Sequence, residues 1–186
     1  MFEELTTIDL GESRANTYKI HPAVLVNILN VYYRNTKKDF LMGLLMGKTF
    51  PDYVSITNMI FVSHNKKEDG SIDIMLEPAL KILEYTDQIY NESKVGWFIT
   101  KKAMDREVAG IHKHVSSHLK SSTHNWAGPL CLLIDADLKT DGKIHTRGYT
   151  PQTNKLYRDI FVMFQPATIR IEMEPEDTTA GMLELT

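Results

Sequence analysis

The stretch Phe40-Leu41-Met42-Gly43-Leu44-Leu45-Met46-Gly47 is apolar without interruption, and it limits the fold more than any other part of the 186-residue chain. Eight residues are far too few to cross a bilayer as a helix, which takes about 20. A run of that length with no polar alternation is what a central strand needs when both faces of its sheet are covered. Gly43 and Gly47 within it predict close approach by neighbouring backbone. The chain therefore has to supply strands on either side and helices above and below.

The rest of the sequence supplies them. Tyr18-Lys19-Ile20 predicts a short strand running into His21-Pro22, where proline at the first helical position costs nothing because its missing N–H would be unpaired there. Val24, Leu25, Ile28, Leu29 and Tyr32 mark one face of a helix ending near Asn35. Tyr53 to Val62 predicts a second strand, in which the alternation of Val54 and Ile56 changes phase at Met59 and Phe61, a bulge signature. Polar residues 64–70 predict a loop, and Leu76, Leu80, Leu83 and Ile89 a helix with Pro78 in its first turn. Val95 to Ile99 predicts another buried strand. Val108, Ile111, Val115 and Leu119 form one stripe of a third helix. Leu130 to Ile134 and Lys143 to Tyr149 predict a hairpin around Asp141-Gly142. Ile160 to Phe164 and Thr168 to Met173 complete the sheet. Residues 1–16 predict a frayed lead-in, 17–173 one α/β domain with a mixed sheet flanked by helices, and 174–186 an acidic, poorly ordered tail.

Composition narrows the function classes. With 21 Lys and Arg against 24 Asp and Glu, the net charge is −3, which leaves no electrostatic footprint for unaided nucleic-acid binding. Cys131 is the single cysteine, so neither an internal disulfide framework nor a cysteine zinc site is available. The acidic start Met1-Phe2-Glu3-Glu4 lacks the basic and apolar regions of a signal peptide, and a cytoplasmic protein with no membrane contact is expected.

The order of the His-Pro helix start, Met42 to Gly47, Val54-Ser55-Ile56-Thr57-Asn58 and Gly96-Trp97-Phe98 resembles the MPN (JAB1/MPN/Mov34) domain over about residues 18–173. Phe61-Val62-Ser63-His64-Asn65, followed by Glu68-Asp69 and Asp73, looks most like the f-type branch of that family found in eukaryotic translation initiation factor 3. Asp137-Leu138-Lys139, Gly142-Lys143-Ile144, Gly148-Tyr149 and Phe164-Gln165-Pro166 are similar to the same branch, and the proteasome-lid and signalosome branches match less well. The resemblance implies a three-layer fold, a curved mixed β-sheet with one helix on one face and others on the opposite face.

It also implies a chemistry to look for. Catalytic members of the family are zinc isopeptidases that release ubiquitin-like proteins. Their zinc is held by two imidazoles and a carboxylate, which leave one position for water. The metal brings that water's pKa toward ~7, a glutamate takes its proton, and a serine helps stabilise the oxyanion. Carried onto this chain, the glutamate position falls on Phe40, the two histidine positions on Ile99 and Lys101, the serine on Ala109 and the aspartate on His112. All five are substituted, and an ammonium repels zinc. The resemblance thus implies a noncatalytic member with no cofactor, no catalytic residue and no small-molecule substrate.

Other constellations give weaker chemistry. Asp39, Asp105 and Glu107 beside His112, His114 and His118 raise the question of a relocated metal site. His114 and His118 share a helix face at the four-residue spacing of a metal pair, but the residues between them include no glutamate base. Solvated histidines are the simpler reading, with His112 half-buried against the core. Cys131 lies in an apolar run and reads as a core thiol, with His124 its only nearby partner in sequence. Ser63, His64 and Asp69 are triad residue types without any sign of triad geometry. Lys37-Lys38 and Lys66-Lys67 read as solvated charge pairs, and Lys101-Lys102 as the rim of the lost site.

Family members without the zinc set pair side by side with a second MPN domain, largely through the first helix. The resemblance therefore implies another MPN-domain subunit as partner within a multi-subunit complex. The outward candidates are Asn27, Asn30, Val31 and Tyr33 on that helix, together with Met46, Met59 and Met75, because methionine adapts to irregular surfaces. For each methionine taken singly, a place in the core is the competing reading. Longer members continue into C-terminal helices used for bundling, which these residues do not reach.

Overall fold

A computed structural model describes residues 16–36, 39–119, 128–138, 141–151 and 164–172. They form eight strands and three helices: β1 (Thr17–Ile20), α1 (Pro22–Arg34), β2 (Met42–Thr49), β3 (Val54–Lys66), β4 (Ile72–Met75), α2 (Leu76–Tyr90), β5 (Ser93–Ile99), α3 (Arg106–Ser116), β6 (Leu130–Asp135), β7 (His145–Pro151) and β8 (Phe164–Ile171). The sheet order is β1-β8-β7-β6-β5-β2-β3-β4, and β1 also pairs with β3. Bonded on both edges, β1 curls the sheet round on itself. Parallel pairs (β1 with β3 and β8, β5 with β6) and antiparallel pairs coexist, so the sheet is mixed, as expected.

The apolar run becomes the middle of this sheet. Met42 to Gly47 is fully buried, with β3 bonded on one side and β5 on the other. Its alternation feeds two separate cores. Leu45 joins Phe98, Ile56, Leu132 and the α1 residues Val24, Leu25 and Ile28. Met42, Leu44 and Met46 join Trp97, Leu133, Leu76, Leu83, Val108, Ile111 and Val115 under α2 and α3. One helix on one face and two on the other is the three-layer arrangement the resemblance implies. Each buried Leu, Ile or Val contributes about 1.5–3 kcal/mol of transfer free energy, and two such cores suffice without staples.

Local chemistry sets the element ends. His21 caps α1, its Nδ1 accepting from the Ala23 amide at 3.2 Å, with Pro22 following. Asp105 caps α3 by accepting from Val108 N at 2.8 Å, and Asn91 ends α2 in the left-handed region at φ 52°. The phase change read in β3 is a bulge. Met46 faces Asn58 but Gly47 faces Ile56, leaving Thr57 unmatched, where its hydroxyl donates to Glu92.

Three expectations need correction. Residues 64–66 are not loop: β3 runs on to Lys66 and turns back into β4, with Asn65 opposite Asp73. Backbone pairing there outweighed polar composition. Ile89 does not belong to the core stripe of α2, since it is 71% exposed. The last strand starts at Phe164 and is continuous to Ile171, so Thr168 continues a strand already begun. The expectations for residues 160–163, for Met173, for the lead-in before Asn16 and for the tail 174–186 lie outside the described residues.

Candidate functional site

The five positions that the resemblance assigns to the family's metal centre lie on three parts of the fold: Phe40 just before β2, Ile99 and Lys101 at the end of β5, and Ala109 and His112 on α3. Phe40 lies just before β2, half-buried, its ring stacked parallel on His64 with centroids 4.2 Å apart and an interplanar angle of 3°. On Phe40 there is a second neighbour, the Lys101 ammonium, 5.5 Å from the ring centre. Ile99 ends β5 between Met42 and Leu133, fully buried. Lys101 follows it and spans Asp105 Oδ2 and Glu107 Oε1, each at 3.2 Å. Ala109 is half-buried on α3.

His112 is placed differently from the expectation. It is not half-buried but 1% exposed. Its Nδ1 accepts from the Trp97 indole N–H at 3.0 Å, and Phe164 meets its ring edge-on at 4.8 Å. Accepting at Nδ1 leaves the proton on Nε2. Burial without a charged partner disfavours the imidazolium and lowers the pKa to about 4. At neutral pH this histidine is therefore an uncharged core residue.

The acidic groups considered for a relocated site are committed elsewhere. Asp39 faces His64 Nε2 at 3.3 Å. The Asp105 carboxyl is raised by desolvation, but the hydrogen bonds from Val108 and Lys101 outweigh this and hold it below the usual carboxylate range. Among the described residues no three His, Cys, Asp or Glu side chains gather closely enough to hold a metal ion. The triad types also separate, because Asp69 binds the Ser71 amide and hydroxyl while His64 turns to Asp39. Cys131 is buried, and desolvation pushes its thiol well above the usual range, which leaves no thiolate nucleophile. His124, Lys37 and Lys38 lie outside the described residues.

Next to Phe40 opens a cavity of about 620 Å³ between the end of α1 and β3, lined by Val31, Arg34, Phe40, Phe61, His64 and Asn65 among others. No sequence pattern marks it, because its walls come from three separate elements.

The surface candidates divide. Asn27, Asn30, Val31 and Tyr33 are exposed on α1, although the Tyr33 hydroxyl donates to the Ala136 carbonyl at 2.7 Å. Met75 is 43% exposed and Met59 half-buried. Met46 is wrong as a surface candidate: it is 0% exposed, because strand alternation points it beneath α2 and α3. An outward apolar stripe on α2 was missed. Ile82, Tyr85 and Ile89 follow one another at spacings of three and four, exposed by 51%, 69% and 71%, with Tyr90 at 62% beside them. Leu76, Ala79 and Leu83 hold α2 in the core, and at 100° per residue the exposed stripe lies about 120° round from them, so the apolar arc of this helix runs well past its buried face. The stripe's spacing is legible in the sequence.

Residues 13–121 match the model of the JAB1/Mov34/MPN/PAD-1 ubiquitin protease family. The chain is 35% identical over 133 residues to the F-2 subunit of eukaryotic translation initiation factor 3 from Drosophila sechellia, which covers 70% of this chain and 45% of that protein. It is 33% identical over 133 residues, with the same coverage, to the F-2 protein of Drosophila ananassae. To the F-1 protein of Drosophila ananassae it is 27% identical over 135 residues, 72% of this chain and 45% of that protein. The chain spans about half the length of the curated relatives it matches.

Proposed function

We propose, from the premise that this chain belongs to the JAB1/Mov34/MPN/PAD-1 family, that it is a noncatalytic scaffold of the f type in a cytoplasmic translation initiation factor 3 complex, pairing there with a second MPN-domain subunit. The observation that carries the noncatalytic part is Lys101. Its ammonium stands at a position where the family resemblance expects a zinc-binding imidazole, and Asp105 and Glu107 fix it there. The neighbouring positions offer a phenyl ring, an aliphatic side chain and a histidine already turned to Trp97. None of these can grip a divalent cation or take a proton from water.

The pairing part is supported by the outward stripe of α2. A helix whose apolar arc extends well past its buried face leaves part of that arc to be covered, and large exposed apolar patches mark interaction surfaces. Tyrosine is enriched at such contacts because it joins apolar area with a polar tip. The relatives' names support the complex. No helix among the described residues is long and apolar enough to cross a membrane.

Affinity purification with mass spectrometry from cell extract tests the reading. Recovery of initiation factor 3 subunits, a second MPN protein among them, is expected. Recovery of proteasome-lid or signalosome subunits instead would reject the complex. Chelator-sensitive cleavage of ubiquitin chains by the purified chain would overturn the noncatalytic reading.

A further inference from the structure

We propose that His114 and His118 form a two-imidazole chelating site for a borderline divalent transition ion such as Zn2+ or Cu2+, separate from the lost family centre. Both side chains are exposed where α3 ends, and their ring centres lie 5.7 Å apart. Imidazole nitrogens bind such ions at about 2.0–2.1 Å, which places the ion roughly 3.2 Å from each ring centre. Rings at the observed separation can then share one ion at an angle of about 125°, open enough to leave room for water ligands.

The proton arrangement prepares the site. Ser117 Oγ donates to the His114 carbonyl at 2.8 Å. His118 Nδ1 lies 3.1 Å from that same carbonyl and 3.0 Å from Ser117 Oγ. The carbonyl can only accept, and the serine proton is already committed to it. His118 Nδ1 is therefore the donor, which leaves the ring's lone pair on Nε2. Metal-binding histidines are commonly oriented in this way, through the second ring nitrogen. Lys94 Nζ donates to the His118 carbonyl at 3.3 Å and fixes the turn. The carbonyl end of α3 adds a field that favours a cation.

Two protein ligands define a site of modest affinity. Titration of the full chain with Zn2+ alone, followed by calorimetry and by the histidine ring signals in NMR, tests it. One ion per chain is expected, with the signals of His114 and His118 moving together. His114→Gln or His118→Gln should weaken binding more than about tenfold, since losing even an orienting partner costs roughly 10–100-fold, and Ser117→Ala should weaken it less. Circular dichroism confirms that these surface variants fold. No binding by the wild-type chain, or equal binding by the His114→Gln, His118→Gln double variant, overturns the proposal.

Discussion

The indole N–H of Trp97 on β5 donates to Nδ1 of His112 on α3 across 3.0 Å of buried space, which ties the third helix to the central sheet by one polar contact inside an apolar core. Trp97 and Phe164 surround the ring. Neither can balance a positive charge.

A pH dependence of stability follows. Unfolded, this imidazole titrates near 6.5; folded, at about 4. The unfolded state thus binds more protons between those values, and stability rises with pH across that interval. Its contribution is complete above pH ~6.5 and is lost progressively as pH falls toward 4, by up to about 3 kcal/mol. Urea midpoints measured from pH 7.5 to 4.5 should decline, and His112→Leu should flatten the decline while lowering stability at pH 7.5 by about 1–3 kcal/mol through the orphaned indole N–H. An equal decline in the variant would assign it to other groups.

The central strand makes a second expectation. A Cβ on Gly47 would run into the carbonyl of Ser55 on the adjoining strand, and backbone cannot give way as a flexible side chain can. Gly47→Ala should destabilise the fold by about 1–3 kcal/mol or more. Gly110, exposed on α3 with open space around it, is the control: Gly110→Ala should stabilise by about 0.4–1 kcal/mol. Thermal denaturation of the pair distinguishes close packing from a general effect of glycine removal.

How much of this was legible beforehand varied with the kind of signal. Burial of Met42 to Gly47, the Thr57 bulge and the stripes of α1 and α3 were readable because each is a short-range pattern. Ile72 to Met75 was not, since its pairing with Ser63 to Lys66 depends on a partner strand rather than on its own composition. Met46 was misplaced because the phase of a wholly apolar strand is invisible without its neighbours. His112 looked amphipathic in sequence because nothing local announced the indole waiting for it from β5.

At the start of α3, Asp105 both caps the helix and receives Lys101. Asp105→Ala removes the acceptor for Val108 N and should cost about 1 kcal/mol, within the roughly 0.5–2 expected for a cap. Lys101→Ala removes only partly exposed ion pairs and should cost less than about 1 kcal/mol. Because the Asp105 carboxyl is held below its ordinary range, its contribution is present above the unfolded pKa and disappears as pH falls through the folded one. Denaturant titration of both variants at pH 7 checks the ranking; a costlier Lys101 would mean that its ammonium, not the cap, organises this end of the sheet.

The outward stripe of α2 gives the last expectation, and the one that bears most on assembly. Ile82, Tyr85 and Ile89 are more than half exposed, so charging them removes little from the folded chain itself. Tyr85→Glu should therefore change stability by no more than about 0.5 kcal/mol. If the stripe is covered by a partner protein, the same change places a carboxylate in a desolvated contact. Loss of a central aromatic anchor costs binding about 2 kcal/mol or more, equivalent to a drop in affinity of roughly thirtyfold. Co-purification yield should then collapse while the melting temperature stays put. Val26→Glu on the outer side of α1, at a residue 61% exposed, separates the two helices as docking surfaces. A partner lost with Val26→Glu and retained with Tyr85→Glu would move the interface to α1 and leave the apolar side of α2 for some other contact.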